Sequence, residues 1–206
     1  MKALSLLALI ALPVPGTAQN RVGPPPALQA TFERTVQSSG GGVTKNSGVF
    51  YRDAQGRTRL ELGKQVYIQD PSSGVSGVLD LETKVAHLRK LAALPKSPGS
   101  VPQSHGAVFL DARSDLGSRV IDGNAVTGER HLVRLPPDFP SSTQPVTITT
   151  ETWQAFELRL AVLVKTTDSR YGETTTAYRD IVLNAPVDPK LFEIPTGFQI
   201  EGLSTR

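Results

Sequence analysis

The run Gly48-Val49-Phe50-Tyr51-Arg52-Asp53-Ala54-Gln55-Gly56-Arg57-Thr58-Arg59-Leu60-Glu61-Leu62-Gly63-Lys64-Gln65-Val66-Tyr67-Ile68-Gln69-Asp70-Pro71 decides the fold class. Apolar and polar residues alternate in three short segments, the period of a half-buried strand. Asp53-Ala54-Gln55-Gly56 separates the first two segments and carries hairpin-turn chemistry. Pro71-Ser72-Ser73-Gly74 closes the third. Three strands joined by tight turns within so few residues predict an antiparallel meander.

The same signal extends outward. Upstream, Leu28, Ala30, Phe32 and Val36 alternate with polar residues until Gly40-Gly41-Gly42, read as a hairpin tip. Downstream, 75–80 and 84–89 form a further hairpin around Leu81-Glu82-Thr83. Leu88 to Leu94 is predicted as a short helix, kept short by Pro95, Pro98 and Pro102. Strands resume at 117–121 and 125–135 around Asp122-Gly123-Asn124, and after a proline-rich loop at 145–153, 157–166 and 173–183. Leu158, Leu160, Val162 and Val164 are predicted to share one sheet face. Asp188 caps one helical turn that opens on Pro189, and 194–200 is extended. The expected fold is mainly β: a curved antiparallel sheet or half-open β-barrel with one or two short helices, spanning 28–203. A sheet of about ten strands must curl or split to bury its apolar face.

The first residues carry a different signal. Met1-Lys2 is a short basic start, Ala3 to Leu12 is almost wholly apolar, and Gly16-Thr17-Ala18 places small residues after Pro13 and Pro15. This is the layout of a secretory signal peptide over 1–18, with cleavage near Ala18 and export to the periplasm or the medium. The apolar run is about ten residues, whereas a helix needs ~20 to cross a bilayer. Residues 19–27, with Pro24-Pro25-Pro26, read as a semi-rigid linker.

Composition excludes several functions. The chain has no cysteine, hence no disulfide, thiolate ligand or thiol nucleophile. The net charge is only +3, and no run of five like charges exists, so nucleic acid is not an expected partner. His87, His105 and His131 lack a second ligand at metal spacing. Ser72, Ser73 and Ser76 do not form a nucleophile elbow. Glu151 and Glu157 flank Trp153 and Phe156, a pattern read as solvated turn residues. No catalytic residue, metal or cofactor is expected, and the chain reads as a non-enzyme.

The quoted run resembles the periplasmic lipoprotein-carrier (LolA/LolB-like) superfamily in its basic-aromatic hairpin, glycine turn, short apolar strand and Asp70-Pro71. The ending Asp188-Pro189-Lys190-Leu191-Phe192-Glu193-Ile194-Pro195, followed by Gly197, resembles the same superfamily. Exported bacterial proteins with the same Asp-Pro and Leu-Phe-x-(Ile/Val)-Pro endings look closer still. The resemblance implies a half-open antiparallel barrel whose apolar concave face holds acyl chains beneath a helical lid. Prolines and glycines occupy 88–115, where that lid would lie.

Two functional expectations follow. In the first, a lipid or other hydrophobic ligand sits in a concave face lined by Phe32, Leu60, Leu62, Val66, Ile68, Leu158, Leu160, Val162 and Val164. Arg52, Arg57 and Arg59 would form a basic rim, or else serve as edge-strand charge. In the second, the core is filled and the chain is an envelope protein-protein interaction module.

Overall fold

Aspartates set the turns. Asp53 Oδ1 accepts hydrogen bonds from the Gln55 and Arg57 amides at 3.0 and 2.9 Å. Asp70 Oδ1 accepts from Ser72 N at 2.8 Å, and Asp80 Oδ1 from Glu82 N and Thr83 N at 2.8 and 3.0 Å. Each carboxylate stands in for a backbone acceptor and reverses the chain. Asp168 is held by the Arg170 side chain first, and also by its amide, which draws its pKa below the ordinary 3.8. The amides of Thr83 and Glu82 draw Asp80 down likewise. A carboxyl depressed in the folded state stabilises the fold above its unfolded pKa and loses that contribution as pH falls through the folded value. The urea midpoint is therefore expected to hold steady above about pH 5 and to fall below about pH 4. Asp168→Asn should flatten that acid decline; an unchanged slope would count against the link.

The computed structural model describes residues 23–91, 110–137 and 144–202. The strands are β1 Leu28–Ser38, β2 Val43–Arg52, β3 Thr58–Leu62, β4 Gln65–Asp70, β5 Val75–Asp80 and β6 Val85–Lys90. They continue as β7 Leu110–Ile121, β8 Asn124–Leu135, β9 Val146–Ala155, β10 Leu160–Asp168, β11 Gly172–Leu183 and β12 Gln199–Glu201. A 3-10 turn, Pro189–Phe192, precedes β12. All twelve strands form one sheet, ordered β12-β6-β5-β4-β3-β2-β1-β11-β10-β9-β8-β7. It is mostly antiparallel, curved and not closed, as the period-two reading predicted. Only β12, lying beside β6, runs parallel to its neighbour.

β1 joins two meanders. It pairs with β2, its neighbour in sequence, and with β11, far along the chain. The predicted cap is present: Asp188 Oδ1 accepts from Lys190 N at 2.9 Å, with Pro189 following. The glycine tip is present too, where Gly41 N donates to Ser38 O at 2.9 Å.

Several boundaries differ from the sequence reading. β2 begins at Val43 and β7 at Leu110, both earlier than their apolar alternation suggests, because exposed strand residues need not be apolar. Leu88 to Lys90 are strand residues of β6 paired with β5, not the start of a helix. Residues 92–94 of that predicted helix, the leader, residues 19–22 of the linker, His105 and most of the 136–144 loop lie outside the described residues. Leu158 is not in a strand: Phe156 to Arg159 is the turn between β9 and β10, with Arg159 at φ 47°.

Candidate functional site

Two apolar clusters lie on the sheet. The larger contains Leu28, Ala30 and Phe32 of β1, Phe50 of β2, Leu60 of β3 and Tyr178 of β11. From the other meander it takes Val126, Trp153, Ala155, Leu158, Leu160 and Val162. Tyr178 makes edge contacts with Phe32 and Phe50, at centroid separations of 5.6 and 5.0 Å. Burial raises its phenol pKa well above the usual range. Leu62, Tyr67, Leu116, Ile121, Leu163 and Ile181 pack around this cluster and remain half-buried.

The smaller cluster is Val66, Ile68, Leu79 and Ala86, with Ile194 and Phe198 packed against it. It lies on the opposite face. Leu60 pairs with Tyr67 and Leu62 with Gln65, so the alternate residues Val66 and Ile68 point the other way. The C-terminal segment lies on this face. Arg59 Nη1 donates to Leu191 O at 2.7 Å, the Arg57 guanidinium stacks over Phe192, and Lys84 sits over Phe198.

The nine predicted lining residues therefore do not share one face. Phe32, Leu60, Leu158, Leu160 and Val162 come together in the larger cluster, with Leu62 at its margin. Val66 and Ile68 belong to the second cluster. Val164 pairs with Thr152 and Thr176 and stands among threonines, outside both. Val162 is the extra residue of a β-bulge between Ala161 and Leu163. A bulge bends its strand and increases the twist. The next turn along, 156–159, meets Arg52.

Arg52, Arg57 and Arg59 do not make a basic rim: Arg52 and Arg59 lie on interior, not edge, strands, and Arg57 lies in the connection between them. Arg52 is 5% exposed. Its guanidinium donates to the carbonyls of Pro26, Arg159 and Leu158, from two distant segments. Burial first, and the Arg159 charge second, lower its pKa to about 10, so it stays charged at neutral pH. It clamps the linker and the β9–β10 turn onto β2. Arg57 pairs with Asp53 at 2.6 Å and Arg59 with Glu61 at 2.7 Å.

The margin of the larger cluster holds two polar groups that the sequence reading did not single out, Arg34 and Tyr67. Arg34 follows Phe32 on the same face of β1, and Tyr67 donates its hydroxyl to Gln65 Oε1. The signal was available: in Leu28, Ala30, Phe32, Arg34 an apolar series meets a charge at its fourth member.

Among the described residues, no group of three His, Asp or Glu could hold a metal ion. His87 contacts Glu201 at 3.2 Å and His131 contacts Asp111 at 2.6 Å, on different strands. Glu151 is paired with Arg130 at 2.8 Å, and Ser76 accepts from Arg89. No helix of the described residues is long and apolar enough to cross a membrane.

No protein-family model and no curated protein matches the chain. Solved structures similar to it include PNGF-II, with a TM-score of 0.45 and 12% identity over 86% of this chain and 31% of that one. The chain thus spans about a third of the PNGF-II chain. A putative outer membrane lipoprotein-sorting protein domain from Vibrio parahaemolyticus gives 0.34 and 11% over 81% and 89% of the two chains. A LolA superfamily protein from Nitrosomonas europaea gives 0.30 and 12% over 82% and 91%. The superfamily suggested by the sequence motifs is thus among the similar solved structures.

Proposed function

We propose that the chain is an exported, non-enzymatic binding protein that shelters an acyl chain or another hydrophobic ligand against its curved sheet. One observation carries this reading. The larger apolar cluster has a half-buried apolar margin, Leu62, Tyr67, Leu116, Ile121, Leu163 and Ile181, and no helix of the described residues lies over it. The centre of the cluster is closed to solvent, with Phe32 and Leu60 each 1% exposed. Ligand would therefore lie along the margin, not in the centre. Binding needs no covalent step. Each methylene taken from water contributes ~0.8 kcal/mol, so an acyl tail of modest length suffices for retention. The leader-like first residues support delivery to the periplasm or the medium.

The protein purified without detergent is expected to carry a lipid that organic extraction and mass spectrometry identify. Leu62→Glu puts a charge on the half-buried margin. The variant should keep the far-ultraviolet circular dichroism of the parent and lose the lipid. Empty parent protein that takes up neither lipid nor an apolar dye would leave the alternative, an interaction module with a filled core.

A further inference from the structure

Arg34 is out of place electrostatically. It is half-buried on the face that carries Phe32, and its neighbours there are Phe32 and Val36 along β1, Asn46 on β2 and Thr176 on β11. None of them is a carboxylate. Among the described residues the Arg34 side chain donates no hydrogen bond and forms no ion pair, whereas those of Arg52, Arg57, Arg59 and Arg179 are all committed. Glu33, its nearest acidic neighbour in sequence, points to the other face and pairs with Arg179 at 2.7 Å. A half-buried cation without a counter-charge has given up hydration for nothing in return, and an arriving anion restores the balance.

Two features direct such an anion. Gly48 sits opposite Phe32 on β2, and the place of its missing side chain is taken by the main chain of Glu61 and Leu62, which brings Leu62 up to the Phe32–Arg34 face. Tyr67 shares the half-buried apolar margin with Leu62 and directs its hydroxyl to Gln65, the residue paired with Leu62; burial raises its phenol pKa and the Arg34 charge opposes that rise. Cation, hydroxyl and apolar strip therefore lie in sequence on one face. A guanidinium presents a planar fork of donors that fits carboxylate and phosphate oxygens.

We propose that Arg34 and the Tyr67 hydroxyl form the headgroup site for an anionic amphiphile, its carboxylate or phosphate on the guanidinium and its chain along Leu62 and Tyr67. This rests on the hydrophobic-ligand reading and names the ligand class. A neutral amphiphile of equal length would lack the anchor.

The test compares dodecanoate with dodecan-1-ol, which share a chain length and differ in charge, by calorimetric titration of the delipidated full protein. The parent should bind dodecanoate about tenfold or more tighter, the discrimination of one charge-assisted hydrogen bond. Arg34→Gln should erase the difference, while Arg34→Lys restores part of it. Acetate, the headgroup without the chain, should not compete at equal concentration. Competition by acetate would make the site one for free anions and overturn the amphiphile. Equal binding of the two ligands by the parent, or discrimination that survives Arg34→Gln, overturns the headgroup site and leaves the hydrophobic-ligand reading standing. Binding of neither ligand overturns both.

Discussion

Tyr178→Ala should lower the stability of the protein by ~3–5 kcal/mol, the usual cost of emptying an aromatic site in a packed core. Tyr178 is 2% exposed and makes edge contacts with both Phe32 and Phe50. Its removal leaves a void where β1, β2 and β11 meet, and forfeits two aromatic pairs worth ~0.5–1.5 kcal/mol each. These effects overlap and do not sum. At ~2–4 °C per kcal/mol for a chain of this size, melting should fall by roughly 6–20 °C. Tyr171→Ala is the control. Tyr171 is 63% exposed at a hairpin turn, and its loss should change stability by no more than ~0.5 kcal/mol. Equal shifts for the two variants would mean that the β1–β11 seam does not hold the fold together.

Gly172→Val should do comparable harm through the backbone. Gly172 has φ +104°, outside the range of ordinary L residues, and a Cβ there would stand 2.1 Å from the Gln37 carbonyl oxygen. The obstacle is main chain of the paired strand, so no rotamer change relieves it. Conformational strain alone costs ~1–3 kcal/mol. Separating β11 from β1 adds to that, for a loss of ~3 kcal/mol or more. Gly41→Ala separates the two contributions. Gly41 also has positive φ, +86°, yet nothing lies within 4 Å of its Cβ position. Urea unfolding should show a loss at Gly41 of only ~1–2 kcal/mol. A loss at Gly172 no larger than this would remove the steric part of the argument.

Local chemistry made most of the sheet readable. Aspartate and glycine turns fixed the hairpins because each depends on residues within four positions of one another. Face assignment failed where turn length was not carried into register. Gly63-Lys64 is a two-residue connection, which sets Leu62 opposite Gln65 and Leu60 opposite Tyr67. That pairing already places Val66 and Ile68 on the reverse side, so the signal was present in the sequence. Alternation in β10 misled for another reason: the extra residue at Val162 resets the pairing with β9, and no residue type announces a bulge. Arg52 was legible as a cation but not as a clamp. Its acceptors are backbone carbonyls about 26 and 107 positions away, and any residue supplies a carbonyl. Arg34 stands between these cases, visible as a break in an amphipathic strand and meaningful only once its neighbours are known.

The position of β1 between the two meanders also governs how the molecule assembles. The β2–β6 hairpins close over short sequence separations, as do those of β7–β11, so each meander can zip from its own turns. The seam is different. Leu28 pairs with Leu183, which requires nearly the whole chain to be present and the intervening loop to close. Loop-closure entropy must be overcome before those contacts repay it, and such non-local pairing slows folding. During synthesis β1 can gain β2 early, yet its other edge stays open until β11 emerges. Over that interval an amphipathic strand with Phe32 at its centre is exposed to other chains, the condition under which aggregation competes with folding.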